Sequence, residues 1–105
     1  MVQTQQDAVA QLKQSQQKLD TLVDELAATL PPDSAQPLRQ LESRWNALAR
    51  DDCAWQRDLS GGGSMSSLVY ASCLDARIHE RINRLKILLC EGYGSTGECS
   101  ASKRY

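Results

Sequence analysis

Three amphipathic helices in up-down-up order, with the second and third forming a disulfide-pinned hairpin, make up the all-α fold class that this sequence predicts. Three observations predict it. Leucine, isoleucine and valine recur at three- and four-residue steps in three separate stretches. Two breakers, Pro31-Pro32 and Gly61-Gly62-Gly63, divide those stretches. Cys53 and Cys73 stand on either side of the glycine run at similar distances from Gly62. No stretch alternates apolar and polar residues as a strand would.

The first helix is expected from about Thr4 to Leu30, with Leu12, Leu19, Leu22, Val23, Leu26 and Leu30 as a narrow apolar stripe. Its first half is far more polar, with seven Gln among the first 17 residues. That half either frays or packs against a second molecule. Pro31-Pro32 ends the helix, because neither ring nitrogen donates and Pro32 disfavours the helical basin at Pro31.

The second helix has two possible starts. Asp33-x-x-Gln36 fits a capping box, whereas Pro37 fits a first helical position, and the two registers exclude each other. Leu38, Leu41, Trp45, Leu48, Asp52 and Trp55 follow at heptad-like spacing, and both tryptophans read as core more readily than as ligand platforms. Trp55, nearer the glycine turn, is the better binding candidate of the two. Leu59 precedes Ser60 and the glycines, where the helix must stop.

Ser64 or Ser66 caps the third helix, which runs to about Cys90 on a stripe of Leu74, Ile78, Ile82, Leu85 and Leu89. Glu80 and Arg84 are spaced for an i,i+4 pair. Arg77, Arg81, Arg84 and Lys86 read as a solvated basic face, with Arg81 free to reach Asp51 or Asp52 across the hairpin. The three helices form one domain over residues 1–92, the hairpin spanning 34–90. A Gly/Ser-rich tail, 93–105, completes the chain.

The 105 residues suffice for one domain, and with 5% aromatics and no Phe its core must be mostly Leu, Val, Ile and Ala. A net charge of −1 favours neither nucleic acid nor an anionic membrane, and no apolar run reaches the ~18 residues of a membrane span. Cys53, Cys73, Cys90 and Cys99 are separated by 20, 17 and 9 positions, without the tight knuckles of structural zinc. Two disulfides fit better, Cys53–Cys73 across the hairpin and Cys90–Cys99 closing the tail, and neither metal nor cofactor is expected. Met1-Val2-Gln3 leads straight into polar sequence, so oxidised cysteines imply a leader already removed and a periplasmic or secreted protein. A cytosolic protein with four free thiols is the alternative.

No enzyme signature emerges. Cys73 and His79 are six positions apart on one helix, about 9 Å along its axis and on different faces, so they cannot form a dyad. His79 reads as an exposed helix residue. The glycine run lacks the strand and Gly-Lys-Ser/Thr of a phosphate loop, and serves as a hairpin connector or an exposed recognition loop.

Read as one pattern, Trp45…Arg50-Asp51-Asp52-Cys53…Gly62-Gly63-Ser64…Cys73-Leu74…Arg81…Leu85 resembles the LprI-like lysozyme-inhibitor domain family over about 40 residues. Ile78 stands where that family has threonine, Arg50-Asp51 is shifted by one position, and the cysteine-bearing tail is an addition. The resemblance implies an exported, non-catalytic helical domain that binds a protein partner, lysozyme, with Trp45, Arg50, Arg81 and Leu85 in structural roles. Asp51, Asp52, Trp55, Asp58, Gly62, Gly63, Ser64 and Met65 are the candidate partner contacts. The rival expectation is a structural or assembly protein of the cell envelope, a homo-oligomer pairing through its first helix.

Overall fold

A computed structural model describes residues 2–61, 63 and 65–91. It contains three helices: α1 (Val2–Thr29), α2 (Pro32–Leu59) and α3 (Ser66–Glu91). Contacts between the helices set their directions. Cys53 bonds to Cys73, Asp52 pairs with Arg77 and Glu42 pairs with Arg81, so α2 and α3 run antiparallel. Arg39 on α2 reaches Asp24 on α1, which reverses that pair as well. Ser15 meets Asp75 and His79, and α1 and α3 are therefore parallel. Up-down-up order follows, with α1 packed most extensively on α3.

The breakers act where the sequence places them. α1 closes with Leu30 N–H donating to the Ala27 carbonyl and Thr29 Oγ1 to that of Leu26. The start of α2 differs from both expected registers. Pro31 is the N-cap, in extended conformation, and its carbonyl accepts from Ser34 and Ala35 N–H at 2.9 Å each. Pro32 opens the helix, where a missing N–H costs nothing, because the first turn's donors have no helical partner anyway. Asp33 consequently lies in the first turn and makes no side-chain cap, while Pro37 falls inside the helix.

At the other end of α2, Ser60 and Gly61 N–H donate to the carbonyls of Arg57 and Asp58. Gly61 and Gly63 have φ of 83° and 84°, the left-handed region that turns the chain back. Val69 N–H bonds to the Met65 carbonyl, so Ser66 is the first helical residue rather than a serine cap. Ser64 and Gly62 lie outside the described residues, as do Cys99 and the tail 93–105.

The core joins Leu19, Leu22, Val23 and Leu26 of α1 to Leu74, Ile78, Ile82 and Leu85 of α3. Both expected stripes are therefore buried, with Leu12, Leu30 and Leu89 packed at the margins. α2 contributes differently. Its buried residues are Glu42, Ala49 and Cys53, while Leu41, Leu48 and Trp55 of its heptad pattern are 51%, 68% and 60% exposed. Trp55 is thus a surface residue, and Trp45 alone of the two tryptophans packs against the core. The reason is geometric. The residues that α2 buries, Glu42, Ala49 and Cys53, lie on a face rotated from the narrow heptad stripe, so the core takes Leu38 and Trp45 from the stripe's edge and leaves Leu41, Leu48 and Trp55 outside.

Candidate functional site

The seam between α2 and α3 holds the polar residues that sequence reasoning singled out. Cys53 and Cys73 are bonded there, with Cα atoms 5.6 Å apart. Cys53 is wholly buried. One turn away, Arg77 donates to a carboxylate oxygen of Asp52, both side chains partly exposed. Asp52 is thereby engaged within the chain.

Further along the seam Arg81 reaches Glu42, not Asp51 or Asp52. Its Nε donates to Glu42 Oε1 at 2.8 Å, and a second guanidinium nitrogen donates to the same oxygen. The distance along the antiparallel helices decides the partner, since Asp52 is opposite Arg77, one turn earlier on α3. Arg81 also lies over the Trp45 ring, 5.9 Å from its centroid. Trp45, Arg81 and Glu42 form one packed unit. Leu85 is fully buried, whereas Arg50 is exposed on α2.

Outside this unit α2 presents an apolar ridge. Leu41, Leu48, Trp55 and Leu59 stand along it, and Met65 is exposed just beyond the turn. Between ridge and α3 opens a cleft of about 430 Å³, lined by Trp45, Leu48, Ala49, Asp51, Asp52, Trp55 and Arg77. Asp51 sits exposed at its rim without an ion-pair partner among the described residues. Asp58 lies near the turn and pairs with Arg57 at 3.3 Å, and Arg57 in turn covers the Tyr70 ring at 5.4 Å. The expected contacts therefore form two groups. Asp58, Gly63 and Met65 belong to the turn, and Asp51, Asp52 and Trp55 to the cleft.

One further expectation, an ion pair on α3, is not met. Glu80 and Arg84 are both exposed and make no ion pair among the described residues, as suits a surface pair worth a few tenths of a kcal/mol. His79 is an exposed helix residue, as expected, and its Nε2 also reaches 3.2 Å from Ser15 Oγ and 3.4 Å from Asp75 Oδ2. Ser15 is buried and donates to Asp75 Oδ1 at 2.6 Å. Serine, histidine and aspartate in contact invite comparison with a hydrolase triad, but the wiring is wrong. A triad histidine uses one nitrogen for serine and the other for aspartate. Here Nε2 faces both, and the serine proton points to the carboxylate. The cluster is a polar fastening of α1 to α3. Only the small, polar Ser15 at an α1 stripe position hinted at it.

The model of one known family, described as Lysozyme inhibitor LprI, matches residues 1–85. The chain belongs to the LprI family. The match takes in α1, which the resemblance read from residues 45–85 did not cover, and stops before Cys90. Of the residues quoted for that resemblance, Trp45, Arg81, Cys53, Cys73 and Leu85 all lie at the LprI chain's α2–α3 seam or in its core. No match was found among curated proteins or among solved structures. Among the described residues, no helix is long and apolar enough to cross a membrane.

Proposed function

We propose that this chain is an exported, non-catalytic protein that inhibits lysozyme by placing the turn Gly61–Ser67 against the enzyme's cleft. Membership of the LprI family carries the reading. Three features of the hairpin support it. The Cys53–Cys73 bond anchors both helices behind the turn, so an inserted element would be ordered before binding and lose little entropy. Gly61 and Gly63 carry no side chain, with open space around each, which lets backbone approach a partner closely. Leu59 and Met65 are exposed apolar contacts beside them, and Asp58 supplies an acid for a basic enzyme surface.

Glycosidases of this kind act through two carboxylates flanking the bond to be cut. An element seated over that pair excludes the polysaccharide without any reaction of its own. Export fits a disulfide within a small domain, because bonds of that kind persist in oxidising compartments.

The test is inhibition of a purified c-type lysozyme by the oxidised chain, beside a variant whose Gly61–Ser67 is exchanged for an unrelated flexible turn of equal length. Dose-dependent inhibition that disappears with the exchange is expected. Inhibition unchanged by the exchange would remove the turn from the mechanism, and no inhibition by the parent chain would remove the function itself.

A further inference from the structure

We infer that the ridge of α2 is a self-complementary surface on which a second copy of this chain docks antiparallel, with its twofold axis at Leu48. This goes beyond the inhibitor reading and assigns Asp51 and Trp55 to self-contact rather than to the enzyme.

Leu38, Leu41, Trp45, Leu48, Asp52, Trp55 and Leu59 follow one another at steps of three and four residues, a heptad seam of three repeats. Such a seam exists to meet another helix. Inside the monomer only the side holding Leu38 and Trp45 is used, where it packs against the core. Leu41, Leu48 and Trp55, spaced by seven, are left more than half exposed, with Leu59 continuing their line at 67%. Among the described residues of α1, by contrast, Val9 is the one exposed large apolar side chain. α3 exposes Ile87 and Leu88 near its end, but the extended row of exposed apolar side chains lies on α2.

Charge selects the occupant. Beside the ridge, seven residues apart and so on one flank of it, stand Arg44 and Asp51, both exposed and both without an ion-pair or hydrogen-bond partner among the described residues. They are seven residues apart on one helix, about 10 Å along its axis, and cannot meet each other. Turn a second α2 end for end about Leu48 and each residue faces the one whose number sums with its own to 96. Leu48 then opposes Leu48, Leu41 opposes Trp55, and Arg44 lies one residue's rise, about 1.5 Å, from the level of Asp51 of the other copy. Each orphan charge then meets its opposite in the other copy, in two equivalent pairs related by the axis, as an isologous interface requires. A parallel pairing sets like residue beside like and brings no opposite charges together, so the antiparallel register is the one favoured. It also leaves the two turns free at opposite ends of the pair.

Sedimentation velocity of the oxidised full chain across a concentration series tests this. A monomer–dimer equilibrium is expected. Leu48→Asp, which buries two carboxylates at the axis, should abolish it while circular dichroism keeps its helical signal. Arg44→Asp and Asp51→Arg should each weaken association by roughly tenfold or more, and the double variant Arg44→Asp/Asp51→Arg should restore it. A chain that stays monomeric at every concentration overturns the proposal. So does a dimer indifferent to Leu48→Asp, or single swaps that the double swap fails to rescue. Exchange of the turn Gly61–Ser67 should leave the dimer intact, so failure of the inhibitor reading is recognised separately.

Discussion

Arg81 on α3 donates its Nε to Oε1 of Glu42 on α2 at 2.8 Å, in a setting where Glu42 is only 5% exposed. A charge so placed is tolerable only while its partner is present, because removing one member leaves the other buried and unpaired. Among the described residues Glu42 Oε2 has no hydrogen-bond partner, so the pair is incompletely compensated.

Glu42→Leu or Arg81→Met alone should therefore destabilise the chain by about 3 kcal/mol, a large share of the roughly 5–15 kcal/mol that holds a domain of this size. The double variant Glu42→Leu/Arg81→Met should regain most of that loss and can exceed the parent. Urea denaturation followed by circular dichroism reads both. If the double variant is as unstable as the sum of the singles, the pair is not the reason the two residues are there.

The same pair shows how far the sequence could be read. The α1 and α3 stripes were legible because each faces one core, and Leu19, Leu22, Leu74, Ile78 and Leu85 are buried as periodicity requires. Cys53–Cys73 was legible because antiparallel helices around a known turn leave few pairings. α2 was harder. Its pattern names seven seam positions without saying that a charged residue, Glu42, sits deeper than any of its leucines. Only an arginine at the matching height on α3 makes that burial possible, and height across a hairpin depends on turn geometry that Pro31-Pro32 and the glycines do not print. The contact of Ser15 with Asp75 and His79 is hidden for a like reason, being spread over about 60 residues of sequence.

Gly61 and Gly63 lead to a second expectation. Their φ values, 83° and 84°, lie where an L side chain is strained, yet a Cβ at either would meet nothing within 4 Å. Substitution is then a backbone matter alone. Gly61→Ala and Gly63→Ala should each cost about 1 kcal/mol, and Gly61→Asn less, since asparagine tolerates the left-handed basin better. Thermal melts of the three variants check the order. Equal stability for Ala and Asn would show that the turn relaxes to another conformation.

The disulfide carries the last expectation. Cys53 and Cys73 are 20 positions apart, and closing a loop of that size in the unfolded chain is worth about 3 kcal/mol in the chain-entropy account. Cys53→Ser/Cys73→Ser should lose about that much, with the seam pairs Asp52–Arg77 and Glu42–Arg81 still holding α2 against α3. Cys53 is fully buried, so part of the loss is packing. Comparing the serine pair with an alanine pair separates the two contributions. Inhibition of lysozyme divides the possibilities further. A staple that only stabilises leaves the serine variant inhibitory at temperatures where it is folded. A staple that orders the turn for binding weakens inhibition even there, and the second outcome is the one the anchored hairpin leads us to expect.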